Sequence, residues 1–334
     1  MKATVEEKEH GTVGSPARQT LPEPSVDVSV DVKTILVPLD FSRAAMYALD
    51  YATALATNLN AKIHLMHVQM PDEVCAIPNA GHLMRECAES ISFLHEQIGC
   101  VEADRPPQFW SENCHIQTGR PYEEICRMAR ELNIDLIVLA SRGYTGLKRI
   151  VLGSTAERVV RFSPCPVLVG RGPKAKSLRG VVPSSRKFPI RKILAPVDFS
   201  ECSMAGTVYA ASLAKTFGAN ILFFHVVERP GRAVIDRVSP EVLPDVNLAS
   251  ARLEMESLSK LDFLRNVKCA VDMRTGSPVG EICGEASQPD IDLVVISTHG
   301  RTGFNRMLLG SVAEQVVRYA YSPVLVVPSR NSHS

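Results

Sequence analysis

The sequence predicts an α/β protein made of two repeated, doubly wound domains, each a five-stranded parallel sheet with four helices. Three observations support this fold class. Short apolar runs rich in β-branched residues alternate with segments of helical periodicity along the chain. The order of these segments repeats once. Segments 140–161 and 297–318 are nearly the same sequence and lie 157 residues apart.

Length and composition limit the classes of protein that fit. The 334 residues suit about two domains. Apolar residues make up 45% and charged residues 22%, and a net charge of +1 gives no field that attracts nucleic acid. No apolar run reaches the roughly 20 residues that span a bilayer, and the acidic N-terminus lacks a signal-peptide pattern. We therefore expect a cytoplasmic protein with no membrane or nucleic-acid partner. The nine cysteines have no metal-ligand spacing, so we expect reduced thiols and no metal site.

Changes in composition predict the domain boundaries. Residues 1–31 hold six acids and three bases without periodicity, which is typical of a disordered tail. Residues 171–191 hold seven Arg or Lys, three Pro and no acid. We interpret 172–190 as a basic linker, with a phosphate-attracting patch as the alternative. The two predicted domains then cover 32–171 and 191–330.

The elements of each half follow from local patterns. Ser42 is a candidate N-cap for a helix with apolar positions at helical spacing, and Pro121 suits the first turn of another helix. Further helices are predicted near 81–103 and at 153–163. Strands of the first half are predicted at 34–40, 61–68, 115–119, 135–141 and 166–170. Those of the second half are predicted at 192–198, 219–227, 267–276, 292–298 and 323–327.

Two polar clusters follow the ends of predicted strands in each half. Asp40 and Asp198 end the first strand, and a glycine-rich loop follows the fourth. In a doubly wound sheet, ligands bind beyond the carboxyl ends of the strands, where the strand order reverses. If the first and fourth strands are neighbours, both clusters meet in one crevice. The aspartate there could accept hydrogen bonds from a ribose or an adenine amine, or it could cap the following helix.

The glycine loops have the chemistry of a phosphate site. Gly143 and Gly300 begin the loops, and Gly153-Ser154 and Gly310-Ser311 begin the helices that follow. Glycine allows close backbone approach to a ligand, and helix N–H groups with serine hydroxyls suit a di- or triphosphate. The alternative is a tight turn with an N-cap serine. Loop cations that could reach phosphates, or could simply be exposed, are Arg142, Lys148, Arg149 and Arg306.

Other candidate residues are interpreted as structural. Glu157 and Arg161 form an i,i+4 pair, and Glu314 and Arg318 repeat it. His67 and His225 end the second strands, where a packed histidine that bonds the backbone explains their repetition. The sequence has no G-x-x-x-x-G-K-[ST], G-x-G-x-x-G or G-x-S-x-G motif and no assembled nucleophile and base. We therefore predict no catalytic residues and at most slow ATP hydrolysis.

These residues resemble the universal stress protein family, in a tandem form, over about 34–170 and 192–328. The resemblance depends on the loop pattern Gly-x2-Gly-x9-Gly-[Ser/Thr], on Pro-x-Asp-Phe-Ser after the first strand and on His-Val after the second. It implies Rossmann-like domains, a role in the stress response and binding of ATP, with Mg²⁺ accompanying the triphosphate. The positions that it assigns to the nucleotide are Pro38, Asp40, Val68, Ala140, Gly143, Gly153, Ser154 and Thr155 in the first half, and Pro196, Asp198, Val226, Ser297, Gly300, Gly310, Ser311 and Val312 in the second.

One departure from the family pattern occurs in both halves. The first glycine is Ala140 in one half and Ser297 in the other, and their side chains could crowd the nucleotide or shift its pose. We favour a nucleotide-binding regulatory protein that binds ATP in one or both repeats. The alternative is an interaction scaffold that binds no nucleotide. An adenylating or ATP-hydrolysing enzyme is less favoured, because the sequence lacks an acid–base set.

The last strand of each predicted sheet is an edge. Both of these strands, 166–170 and 323–327, are short and apolar, and such edges attract a partner strand. The linker is long enough to let the second half turn back onto the first. We expect the halves to pack through these strands as a pseudo-dimer within one chain, resembling the pairing of single-domain relatives. The resemblance also allows a homo-oligomer of the whole chain.

Overall fold

The structure, a computed structural model, describes residues 31–70, 113–141, 152–171, 190–228, 243–298 and 309–328. All ten predicted strands form, each within two residues of its predicted bounds. The tail, the linker, both glycine loops and the helix predicted near 81–103 lie outside the described residues. The elements of the first half are β1 (Thr34–Pro38), α1 (Arg43–Leu59), β2 (Lys62–Gln69), β3 (Cys114–Thr118), α2 (Pro121–Glu131), β4 (Leu136–Ala140), α3 (Ser154–Phe162) and β5 (Val167–Gly170).

The second half repeats the order of the first. Its elements are β6 (Lys192–Pro196), α4 (Glu201–Phe217), β7 (Asn220–Val227), α5 (Leu243–Leu258), β8 (Cys269–Thr275), α6 (Pro278–Ala286), β9 (Leu293–Ser297), α7 (Ser311–Tyr319) and β10 (Val324–Val327). A short 3₁₀ turn, Asp262–Leu264, precedes β8. The four helices predicted for this half are therefore all present.

The helix ends follow from their capping residues. Ser42 is the N-cap of α1, as predicted, and its hydroxyl accepts a hydrogen bond from the first turn. Ser200 does the same for α4. These two helices end in left-handed residues, Asn60 (φ 52°) and Gly218 (φ 64°), which stop the helix and turn the chain toward the next strand. Pro121 opens α2, where its missing N–H costs no hydrogen bond.

The strands form one ten-stranded sheet in the order β3-β2-β1-β4-β5-β10-β9-β6-β7-β8. Within each half all neighbours are parallel, and the first and fourth strands lie side by side, as predicted. The strand order reverses between β1 and β4, and again between β6 and β9. These two reversals place a crevice at the carboxyl edge of each half.

The two halves join through their last strands, which confirms the predicted pairing. β5 and β10 run antiparallel, with Leu168 opposite Leu325 in the centre of the pair. Each strand would otherwise expose unpaired N–H and C=O groups beside apolar side chains. Pairing them removes both edges at once, and the sheet continues without a break from one half to the other.

Helices cover both faces of this sheet. The buried side chains of α1, α4 and α5 pack against one face, and α1 contacts α4 across the junction of the halves. Those of α2, α3, α6 and α7 pack against the other face. Among the described residues, no helix combines the length and apolarity that a membrane span requires.

Four charged side chains connect α3 to α7 across the junction. The predicted pairs within each helix form, with N–O distances of 3.6 Å for Arg161–Glu157 and 3.1 Å for Arg318–Glu314. Two further contacts cross between the halves, Arg161–Glu314 at 3.9 Å and Arg318–Glu157 at 3.6 Å. Each arginine therefore forms one ion pair with the glutamate of its own helix and one with the glutamate of the other helix. We call these four residues the ion-pair square.

A pair of histidines joins β2 to β3 in the first half only. Nδ1 of His64 lies 3.1 Å from Nε2 of His115, and the two rings are stacked. Burial, and to a lesser extent the charge of Lys62, lowers the pKa of His64 to about 4. The pKa of His115 is lowered for the same reasons. At the matching position of β7 the chain has Leu222, since His64 pairs with Leu36 and Leu222 with Leu194.

Candidate functional site

The second half contains a cavity of about 410 Å³ at the carboxyl ends of β6, β7 and β9. Its volume falls within the range of small-molecule sites, about 300 to 1,000 Å³. The cavity lies at the strand-order reversal, between the end of β6 and the start of α7. The predicted residues that line it are Pro196, Asp198, Val226, Ser297, Gly310, Ser311 and Val312. Gly300 lies outside the described residues.

Asp198, which follows β6, is held in place by the N-cap residue of α4. Oδ1 of Asp198 accepts hydrogen bonds from the backbone N–H and the hydroxyl of Ser200, at 3.1 and 2.6 Å. Asp40 accepts from the N–H of Ser42 in the same way, at 3.0 Å. The aspartate thus supports the capping residue without being the cap itself. A carboxylate has about four acceptor positions, so this role leaves Asp198 able to contact a ligand in the cavity.

Between the aspartate and the N-cap, each half places a phenylalanine in a left-handed conformation. Phe199 has φ 62° and Phe41 has φ 58°. The ring of Phe199 packs on His225 with centroids 4.7 Å apart, and Nδ1 of His225 donates to the carbonyl of Val197 at 2.7 Å. His67 and Phe41 repeat this arrangement. The prediction that the two histidines pack and bond the backbone is confirmed.

Helix α7 begins at Gly310 and Ser311, as predicted. Gly310 is the N-cap and brings no capping side chain to the helix. Its own N–H donates to the carbonyl of Thr298 at 2.7 Å, and that of Gly153 donates to Ser141 at 2.8 Å. The N–H groups of both glycines therefore bond to the end of the preceding strand region. The groups that open α7 toward the cavity belong to the next residues, Ser311 and Val312.

The departure from the family pattern lies in the cavity wall. Ser297 is the last residue of β9, is buried and lines the cavity. Helix α4 approaches it closely through Gly206, where an added Cβ would lie 3.5 Å from the backbone N of Ser297. Ala140 ends β4 and pairs with Gly170. The effect of these two side chains on a nucleotide remains a prediction.

The first half places its candidates at the matching ends of its elements. Gly143 lies outside the described residues, as do the loop cations Arg142, Lys148 and Arg149 of this half and Arg306 of the second half. The described candidates lie at the carboxyl ends of β1, β2 and β4 and at the start of α3; they are Pro38, Asp40, Val68, Ala140, Gly153, Ser154 and Thr155.

Several residues of the cavity were not predicted. Helix α5 contributes Ser250 and Glu254, and Glu228 follows the end of β7. The hydroxyl of Ser250 donates to Oε1 of Glu254 at 3.3 Å, one helical turn along. The charged side chains that line the described part of the cavity are therefore acidic: Asp198, Glu228 and Glu254. An anionic group is favoured only at the start of α7, where helix N–H groups and the helix dipole attract it.

The repeated strand order, with a cavity at its reversal, defines a Rossmann-like, doubly wound fold. The chain belongs to the universal stress protein family, a family of stress-response proteins, whose model matches residues 31–171 and 189–328. It is 28% identical over 300 residues to a universal stress protein of Mycolicibacterium smegmatis, covering 89% of this chain and 97% of that protein.

Two further comparisons agree with this assignment. A universal stress protein of Methanocaldococcus jannaschii is 34% identical over 138 residues, which cover 41% of this chain and 81% of that protein. The crystal structure of a universal stress protein from Archaeoglobus fulgidus has a TM-score of 0.58 at 20% identity, over 91% of this chain and 99% of that chain. This last likeness concerns the fold.

Proposed function

We propose that this protein is a nucleotide-binding regulator of the stress response that binds ATP in the cavity of its second half and at the matching crevice of its first. The observation that carries the proposal is the composition of the cavity. A ligand-sized space joins Asp198, at the end of β6, to the open first turn of α7 at Ser311 and Val312. A nucleotide has the two kinds of group that these ends accept, hydroxyls and phosphates.

Each end of the cavity has a chemical task in this proposal. The N–H groups and the hydroxyl at the start of α7 bind phosphate oxygens, because they are donors at the positive end of a helix dipole. Asp198 accepts hydrogen bonds from ribose hydroxyls. Val226, at the end of β7, lies against the base, as the family resemblance implies. Mg²⁺ accompanies the triphosphate and neutralises part of its charge.

Titration with ATP and Mg²⁺ tests the proposal on protein shown to be free of nucleotide. Calorimetry should give a saturable heat, and ATP at 100 times its dissociation constant should raise the free energy of unfolding by about 2.7 kcal/mol. Absence of both heat and thermal stabilisation at millimolar ATP would contradict ATP binding. It would favour the interaction scaffold instead.

Replacement of the N-cap glycines by valine tests where the phosphates of ATP bind. Gly310 has φ −59° and Gly153 has φ −65°, which a valine can adopt, so both variants should fold. The branched side chain of Gly310→Val enters the space for phosphate oxygens, so it should remove the site of the second half, and Gly153→Val that of the first. Gly284→Val on α6 is the control, since an added Cβ there meets no atom within 4 Å. Unchanged ATP binding in the double variant would place the phosphates elsewhere.

Hydrolysis of bound ATP should be slow. The imidazole of His225 is packed on Phe199 and bonded to the carbonyl of Val197, so it is not placed as a general base for water. We expect a turnover far below the enzyme median of about 10 per second. Release of phosphate from ATP by purified protein, with the Gly153→Val/Gly310→Val double variant as the background, measures this rate. Turnover at the median would instead favour an ATP-hydrolysing enzyme.

A further inference from the structure

The cavity of the second half has two chemically different ends. At one end, the N–H of Gly310 bonds to Thr298, which fixes the start of α7 directly beyond β9. At the other end, helix α5 packs on β7 and β8 and presents Ser250 and Glu254 to the cavity. The first end donates hydrogen bonds and favours anions. The second end carries a carboxylate that is half-buried.

The strand order sets the spacing of the strands behind these two ends. β6 lies between β9 and β7, so the carboxyl ends of β9 and β7 are two strand spacings apart, about 10 Å. Asp198, at the end of β6, lies between them. A nucleotide with its phosphates at the start of α7 and its ribose at Asp198 must extend its base toward β7 and α5. The reverse orientation would bring a triphosphate against Glu254, and like charges repel.

We propose that Glu254 recognises the exocyclic amine of the base and so makes the second half selective for adenine. This inference rests on the proposed function of the cavity. An ionised carboxylate accepts hydrogen bonds but donates none. The exocyclic amine of adenine donates hydrogen bonds, so it can bond to the carboxylate of Glu254. Ser250 donates to one oxygen of Glu254 and orients the carboxylate. Glu254 is thus a specificity-determining residue.

The test is a cycle that removes the amine from the ligand and the carboxylate from the protein. The ligands are ATP, GTP and purine riboside triphosphate, and the last of these has hydrogen in place of the 6-amino group. The proteins are the full chain and its Glu254→Ala variant, both carrying Gly153→Val so that the second half alone binds. Glu256→Ala is the matched control, because Glu256 is exposed on the same helix and does not line the cavity.

The ratio of the dissociation constants of ATP and purine riboside triphosphate is the readout, since the loss of a negative charge also changes the affinity for any triphosphate. ATP should bind the unmodified cavity about tenfold or more tightly than the analogue, as expected for a hydrogen bond to a charged group. The ratio should fall toward one in Glu254→Ala and stay unchanged in Glu256→Ala. Glu254→Gln, which keeps one neutral acceptor, should give an intermediate ratio and provides a second variant if alanine perturbs α5.

The outcomes separate this inference from the proposed function. If ATP fails to bind the Gly153→Val chain, the proposed function of the second half is wrong. If ATP binds but the ratio is near one, or is the same in Glu254→Ala, the site stands and the role of Glu254 is refuted. If GTP binds more tightly than ATP and Glu254→Ala reverses that order, the carboxylate recognises the N–H groups of guanine, and adenine selectivity is refuted.

Discussion

Phe199 occupies a backbone conformation that costs a side chain of its kind about 1 to 3 kcal/mol. It does so beside the candidate nucleotide site, and Phe41 does the same in the first half. Strain of this kind persists only where the surroundings impose it. Here the ring contact with His225, itself fixed by the carbonyl of Val197, holds the turn between Asp198 and Ser200. The same group of residues therefore sets both the helix cap and the position of the carboxylate.

His64→Leu should make the protein less sensitive to acid. The folded-state pKa of His64 is lowered to about 4 from its ordinary value of 6.5. As the pH falls from 6.5 toward 4, the unfolded chain binds this proton and the folded chain does not. Stability is therefore lost over that window, by up to about 1.4 kcal/mol for each pH unit. Leucine removes this loss, and the second half shows that the sheet position accepts it, as Leu222.

Urea unfolding of both proteins between about pH 7 and pH 5 checks this prediction. The free energy of unfolding of His64→Leu should fall less steeply over that range than that of the unmodified chain. Part of the slope should remain, because the pKa of His115 is also lowered. Equal slopes would mean that the pKa of His64 is the same in the folded and the unfolded chain.

The site residues that could be predicted from the sequence are those that recur in both halves. Asp198, Gly310 and Ser311 each have a counterpart in the first half, and all three line the cavity. Glu254 lies on a helix whose sequence is not repeated in the first half, so no repeated pattern marked it. The left-handed Phe199 could not be predicted either, because phenylalanine does not favour that conformation and the contact that enforces it is tertiary.

Among the elements, α3 and α7 link the phosphate end of each half to the other half. Both begin at the proposed phosphate sites, and each contributes a first-turn glutamate and a last-turn arginine to the ion-pair square. The helices run antiparallel, because the first-turn glutamate of each lies near the last-turn arginine of the other. The square therefore ties the two candidate sites to the same junction.

Glu314→Gln should weaken this junction in a salt-dependent way. The substitution removes the partner of Arg318 and leaves two arginines to share Glu157. These side chains are about one-third exposed, so we expect a loss of about 1 kcal/mol at low salt. The loss should shrink at about 1 M NaCl, where the Debye length falls to about 3 Å.

Denaturant unfolding at both ionic strengths measures the effect of this substitution. Glu131→Gln is the control, because Glu131 pairs with Arg127 within α2, away from the junction, and is more exposed. The control should lose less than Glu314→Gln at low salt. If the two variants lose the same amount, the contacts that cross between the halves contribute nothing.

The strands were predicted more accurately than the contacts between them. Parallel strands are buried on both faces, so their sequences are continuous apolar runs. The predicted bounds of the strands therefore lie within two residues of the observed bounds. The first strand of each half was predicted to extend to Asp40 or Asp198, but each of these strands ends at the proline two residues earlier. The pairing of His64 with His115 depends on the register of β2 and β3, which local patterns do not determine.

On the scale of the whole molecule, the junction changes which edges of the sheet are exposed. Pairing of β5 with β10 leaves β3 and β8 as the outer strands. Among the strands that the structure describes, the edges open to a second copy of the chain are therefore β3 and β8, the third strand of each half. The last strands that single-domain relatives are expected to use between chains are already occupied here.

Because β5 and β10 belong to one chain, their pairing should also not depend on the protein concentration. A covalent link holds each half near the other at a fixed effective concentration, so a pairing that would otherwise weaken as protein is diluted becomes a property of one molecule. The unfolding temperature of the intact chain should not change with protein concentration. A protease site inserted within 172–190 provides the comparison: after cleavage the halves should elute together, and their unfolding temperature should fall on dilution. Halves that separate at once on cleavage would show that the strand pairing alone cannot hold them.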